Sequence, residues 1–94
     1  MDEPIIEIGY INHFFSKINV AIIELALPLS VGDHILVKGP LTDFSQKVES
    51  MQIDRKEIHM AEGGQSVGLK LTQLAKEKDV VYKKLLFKTK KGER

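Results

Sequence analysis

The segment Gln65–Thr72 sets Val67, Leu69 and Leu71 between Ser66, Gly68, Lys70 and Thr72. Successive side chains of a strand point to opposite faces, so this alternation commits the segment to a strand with branched aliphatics inward and polar residues outward. No part of the chain keeps a helical period for long, and glycine, proline and polar clusters cut it into short pieces. Six further strand candidates follow: Ile5–Phe15, Val20–Leu27, His34–Lys38, Gln46–Asp54, Arg55–Ala61 and Asp79–Phe87. Turns are expected at Val31-Gly32-Asp33, Gly39-Pro40 and Gly63-Gly64. Seven short strands predict an all-β fold, barrel or sandwich. A closed barrel of six to seven strands is favoured because closure removes exposed sheet edges.

The strand candidates differ in clarity. Ala21, Ile23, Leu25 and Leu27 fall on one face of the second, and Ile35 and Val37 on one face of the third. Gly9 inside the first suggests a bulge or sharp bend. Val48, Met51 and Ile53 do not share one parity, and a β-bulge near Glu49-Ser50 would turn both Val48 and Met51 inward. In Arg55–Ala61, Ile58 and Met60 are expected inward, with Arg55, Glu57 and His59 outward. Leu41–Phe44 reads as loop, and the polar Gln73–Lys78 as one helical turn.

At 94 residues the chain fits one domain, assigned to residues 1–87 with a basic tail over 88–94. It has no cysteine, which excludes disulfides, thiolate catalysis and cysteine-rich zinc sites. No apolar run approaches the ~20 residues that span a bilayer. The acidic start Met1-Asp2-Glu3-Pro4 differs from a secretory signal, so a soluble, cytoplasmic domain without a membrane partner is expected. The formal charge of +1 hides an asymmetry: Lys83, Lys84, Lys88, Lys90, Lys91 and Arg94 face only Glu93 near the C-terminus. Such a run either contacts phosphates or is a solvated, fraying end.

Little in the sequence suits catalysis. Asp33 and His34 are neighbours in sequence and point to opposite faces of a strand. Glu57 and His59 share an outward face, yet a metal site needs further ligands, and His13 is the only loose candidate. The serines stand in no nucleophile-elbow context, and there is no GxxxxGK[ST] phosphate loop. No catalytic residue, metal or cofactor is expected, and the chain reads as a non-enzyme.

One position stands apart. Gly68 lies mid-strand and points outward, where glycine costs about 0.5–1 kcal/mol relative to alanine. Either the strand bends there or a ligand approaches the backbone closely. A ligand at Gly68 would be flanked by the Ser66 hydroxyl and the Lys70 cation, and Arg55 adds a planar fork suited to phosphate.

Three stretches, read together, carry a family likeness: Val31-Gly32-Asp33-His34-Ile35, Lys47 to Lys56 (KVESMQIDRK) and Ala61 to Leu69 (AEGGQSVGL). They resemble the second domain of translational GTPases such as elongation factor Tu, with the likeness running from about Val20 to Lys84. Similar barrels form the C-terminal part of U32-type peptidases. The resemblance implies a closed translation-factor-type β-barrel whose outer face binds RNA. By position it implies a role for Gln52, Ile53 and Arg55 of the QIDRK segment and for Ser66 of GGQSVG. The family often has Glu and Asn where this chain has Gln52 and Ser66, while Arg55 is kept. The candidate binding set is therefore Gln52, Ile53, Arg55, Ser66, Gly68 and Lys70. The expected ligand is RNA, tRNA-like, or another phosphate-bearing molecule. The alternative is a protein-interaction module docking on a larger enzyme or a ribosome-associated protein. Nothing in the sequence specifies an oligomeric state.

Overall fold

The computed structural model describes residues 4–85. Ten strands run through them: β1 (Ile5–Phe15), β2 (Val20–Leu25), β3 (Leu29–Ser30), β4 (His34–Gly39), β5 (Thr42–Lys47), β6 (Met51–Ile53), β7 (Lys56–Ile58), β8 (Met60–Ala61), β9 (Ser66–Lys70) and β10 (Val80–Lys84). Eight form one antiparallel sheet in the order β5-β4-β10-β1-β2-β9-β6-β7, and β3 pairs with β8 in a small ribbon. Leu86, Phe87 and the basic tail lie outside the described residues.

The inward side chains meet in a single cluster. Ile8 and Ile11 of β1, Ile23 of β2, Ile35 and Val37 of β4, Met51 of β6, Val67 and Leu69 of β9 and Val81 of β10 all belong to it. Phe44 of β5, from the far end of the strand order, joins them. A flat sheet cannot bring its two ends to one core, so this sheet curls around its contents. Burying each large aliphatic contributes about 1.5–3 kcal/mol. The strand order nevertheless has two ends, β5 and β7, so the backbone ladder does not run round as the expected closed barrel of six to seven strands would. Instead a side chain bridges from β5 to the end of β9. The Gln46 amide donates to the Lys70 carbonyl (3.0 Å) and accepts from the Thr72 N–H (2.7 Å).

Three turns share one architecture. In Ser30–Asp33, Lys76–Asp79 and Glu62–Gln65 the last residue's N–H donates to the first residue's carbonyl, at 3.0, 3.1 and 3.2 Å. In each the last side chain also accepts from the first residue's N–H: Asp33 at 2.9 Å, Asp79 at 2.9 Å and Gln65 at 2.8 Å. The third residue of each has positive φ: Gly32 at 99°, Lys78 at 77° and Gly64 at 92°. The glycines at two of these positions are what the sequence signals; Lys78 is not.

Several expectations are corrected. Leu41–Phe44 is not a loop, because β5 begins at Thr42, directly after the two-residue Pro40-Leu41 turn. Its inward residues are Thr42 and Phe44, and a buried threonine conceals the alternation. Val48 still bonds through its backbone to Gly32 and Asp33, and the chain leaves the pairing after it, so a break between β5 and β6, rather than a bulge, turns both Val48 and Met51 inward. Met60 is exposed, not inward: β7 ends at Ile58, and after His59 the chain starts the separate β8. Leu27 lies beyond the end of β2 and is partly exposed. Gln73–Lys78 forms no helical turn, since the positive φ of Lys78 and the Asp79 carboxylate cap fix the other geometry. The bulge at Gly9 is present: the register between β1 and β10 shifts between Glu7 and Gly9.

Candidate functional site

β9 sits between β2 and β6, with Gly68 opposite Ile22 on one side and Gln52 on the other. Strand alternation turns Ser66, Gly68 and Lys70 to the outer wall while Val67 and Leu69 fill the core. Two hairpin turns then rise at one end of this wall. The β1–β2 turn carries Phe15 and Ile18, both well exposed, and is held by the Ile18 N–H on the Phe15 carbonyl and by Asn19 at φ 55°. The β6–β7 turn consists of Asp54 and Arg55 at φ 52° and 66°. Two-residue turns of this left-handed kind usually use Asn-Gly or Asp-Gly. An arginine at the second position carries a strain of about 1–2 kcal/mol. Among the described residues the Arg55 side chain has no ion pair or hydrogen bond.

Between these turns lies a groove of about 550 Å³. Phe15, Ile18, Val20, Ile22 and Ile53 supply apolar walls, Gly68 lies on its floor, and Arg55, Asp54, Gln52 and Ser66 stand around it. Five of the six residues expected from the sequence thus line one cavity: Gln52, Ile53, Arg55, Ser66 and Gly68. Lys70 lies in the adjoining depression with Gln52 and Gly68. Sequence reasoning missed the opposite wall, Phe15, Ile18 and Ile22, because it comes from a hairpin far upstream of the motif. The one available signal was an aromatic at a strand end followed by an apolar residue inside a polar turn, Phe15-Ser16-Lys17-Ile18.

Ser66 is already engaged. Its hydroxyl donates to the Glu24 carboxylate at 2.7 Å, and Asn12 donates to the other Glu24 oxygen at 3.0 Å. Ser66 therefore offers lone pairs rather than its proton, beside a negative charge. Cationic contacts in the groove fall to Arg55 and, further along, Lys70. Neither side chain is paired with a carboxylate among the described residues.

His13, Glu57 and His59 are not gathered into a metal centre: among the described residues no three His, Asp or Glu side chains lie together as ligands. His13 instead meets Glu77 at 3.0 Å and packs edge-on against Phe15, ring centroids 4.4 Å apart. This contact braces the Phe15 wall. A second large depression, about 580 Å³, opens at the β4–β5 turn beside the exposed Leu41 and Leu74, and none of the six candidate residues lines it. No helix among the described residues is long and apolar enough to cross a membrane.

No protein-family model matches the chain. Over 78 residues, 82% of the chain, it is 45% identical to an uncharacterized protease of Methanocaldococcus jannaschii. The chain spans 19% of the length of that relative. Among solved structures it is similar to the C-terminal domain of a Geobacillus thermoleovorans protein assigned as a U32 peptidase. The TM-score is 0.76 at 19% identity, covering 81% of this chain and 89% of that one. The selenomethionine form of the same domain gives a TM-score of 0.75 at 18% identity, covering 80% of this chain and 95% of that one. Of the two likenesses carried by the motifs, the comparisons support the one to the U32-type C-terminal domain, and the all-β fold is the one that domain has.

Proposed function

We propose that the chain is a non-catalytic binding module of translation-factor type, its curled sheet acting as a barrel, and that the Arg55 groove takes an unpaired segment of RNA. The observation that carries this reading is the meeting of Phe15, branched aliphatics and an unpaired Arg55 in one groove. A base stacks on an aromatic or slides between apolar walls, while a guanidinium holds the adjoining phosphate in its planar fork. The strain accepted at Arg55 also fits a residue held for contact rather than for the fold. Binding should weaken as salt rises, because each neutralised phosphate releases counterions. Titrating the chain with single-stranded RNA across a salt series tests this. Arg55→Ala should lower affinity and reduce the salt slope by about one, with little change in melting temperature. Absent binding, or binding indifferent to salt, would reject the phosphate contact.

A second reading is favoured by the comparisons. The relative is named as a protease and the chain spans 19% of it. On this reading the module docks on a peptidase-type catalytic part, and its wall contacts protein. Salt-insensitive retention of the chain by a purified U32-type catalytic part, with no affinity for RNA, would support it over the first.

A further inference from the structure

We infer that the Arg55 groove is the first half of a longer track, which crosses β9 at Gly68 and holds an extended single strand of several nucleotides rather than one terminal nucleotide. The inference rests on the RNA reading above and adds the form of the ligand. Three depressions line up along the outer wall. The first, about 550 Å³, reaches Val20, Gln52 and Gly68. The same three residues line the second, about 160 Å³, which adds Ser50 and Lys70. The third, about 460 Å³, shares Ser50 and Lys70 and runs on to Gln46 and Thr72. One side chain rising at Gly68 would divide the first two.

Nothing in the fold asks for glycine at that position. Gly68 is not among the positive-φ residues. A Cβ built there would meet Gln52 O at 3.7 Å, Ile22 Cδ1 at 3.8 Å and Val20 Cγ1 at 3.9 Å, which is ordinary contact. A larger residue would satisfy the strand better, since glycine weakens a strand interior. What a side chain would occupy is the saddle between the two depressions. Each side of that saddle has its own unpaired cation, Arg55 on one and Lys70 on the other, as successive phosphates of one chain would require. A single nucleotide would need only the Arg55 half.

The test is binding of fluorescent oligoadenylates, from dinucleotide to octanucleotide, at one low salt concentration. Affinity should rise roughly tenfold or more between dinucleotide and hexanucleotide, as added stacking and phosphate contacts engage. Lys70→Ala and Gly68→Val should flatten that rise with length, whereas Arg55→Ala should weaken every length. Should Gly68→Val lower the melting temperature, Lys70→Ala and Gly68→Ala decide the matter, since both fit the native backbone. Equal affinity for dinucleotide and hexanucleotide would overturn the track and leave the RNA reading standing. A length dependence that survives both Lys70→Ala and the Gly68 substitutions would overturn it too, because the strand would then leave the wall before the saddle. Failure of every length to bind would remove the RNA reading and the track together.

Discussion

Gly9 and Gly68 both stand inside strands of the same sheet, in opposite surroundings. At Gly9 a Cβ would run into the carbonyl oxygen of Glu24 on the neighbouring β2, where neither backbone has room to retreat. The residue sits at the bulge in β1 and pairs on both sides, opposite Leu25 and Val81. At Gly68 a Cβ would find only ordinary contacts, and the backbone φ makes no demand. The first glycine is dictated by packing. The second is left bare on the outer wall, in the lining of the Arg55 groove, and packing does not require it. A glycine seen in a strand therefore carries information only once its neighbours are known.

The contrast is broken most forcefully at Gly9. Gly9→Ala should destabilise the chain by about 3 kcal/mol, at the upper end of what overpacking costs, because the obstacle is backbone. For a domain of this size each kcal/mol shifts the melting temperature by about 4–8 °C, so the loss is easily seen by thermal denaturation. A Gly9→Ala variant melting with the native chain would erase the distinction from Gly68.

A case between the two sharpens it. Gly39 also lacks room for a Cβ, but the obstacle is a side chain, the Asp79 carboxylate. Asp79 is buried and accepts from the Lys76 N–H. Removing it in Asp79→Ala leaves that donor unsatisfied and should cost about 1–3 kcal/mol. It also clears the space beside Gly39. Gly39→Ala should therefore be costly in the native chain and far milder in the Asp79→Ala background, a non-additivity that denaturant titration of the double-mutant cycle measures. Additive losses would mean that Gly39 is constrained by something other than Asp79.

How much of this was legible beforehand follows from where each constraint originates. The alternation of Val67, Leu69 and Leu71 is local, and those residues are buried as their spacing demands. The bulge at Gly9 was legible as a break in a strand, although its cause, the Glu24 carbonyl, belongs to another strand. β5 was hidden because its inward pair is Thr42 and Phe44, a polar and an apolar residue on the same face. Met60 carried the right parity for a strand that in fact stops at Ile58. The Asp79 turn was missed because Lys78 occupies a left-handed position that usually advertises itself with glycine. All six candidate residues lie on β6, β9 and the β6–β7 turn, and they could be named from two stretches of sequence, Lys47–Lys56 and Gln65–Thr72. The wall they face, Phe15, Ile18 and Ile22, is assembled only when β2 pairs with β9.

The smallest effect on stability is expected at Gly68, and its sign is what matters. Gly68→Ala adds a side chain where the neighbours lie at 3.7 Å or more, so no repacking is needed. It also removes backbone freedom from the unfolded chain. The variant should be more stable than the native protein by about 0.4–1 kcal/mol. At Gly9 the same substitution destabilises the sheet; here it strengthens it. The gain in melting temperature should come with a loss of RNA affinity, because the new methyl stands on the saddle of the groove. A fall in stability would show that the strand needs its glycine to bend, and would give Gly68 the same structural role as Gly9. A stabilised variant that binds as well as the native chain would leave the bare position without a purpose in the groove. Stability raised and binding lowered together is the one result that separates the two glycines in both respects.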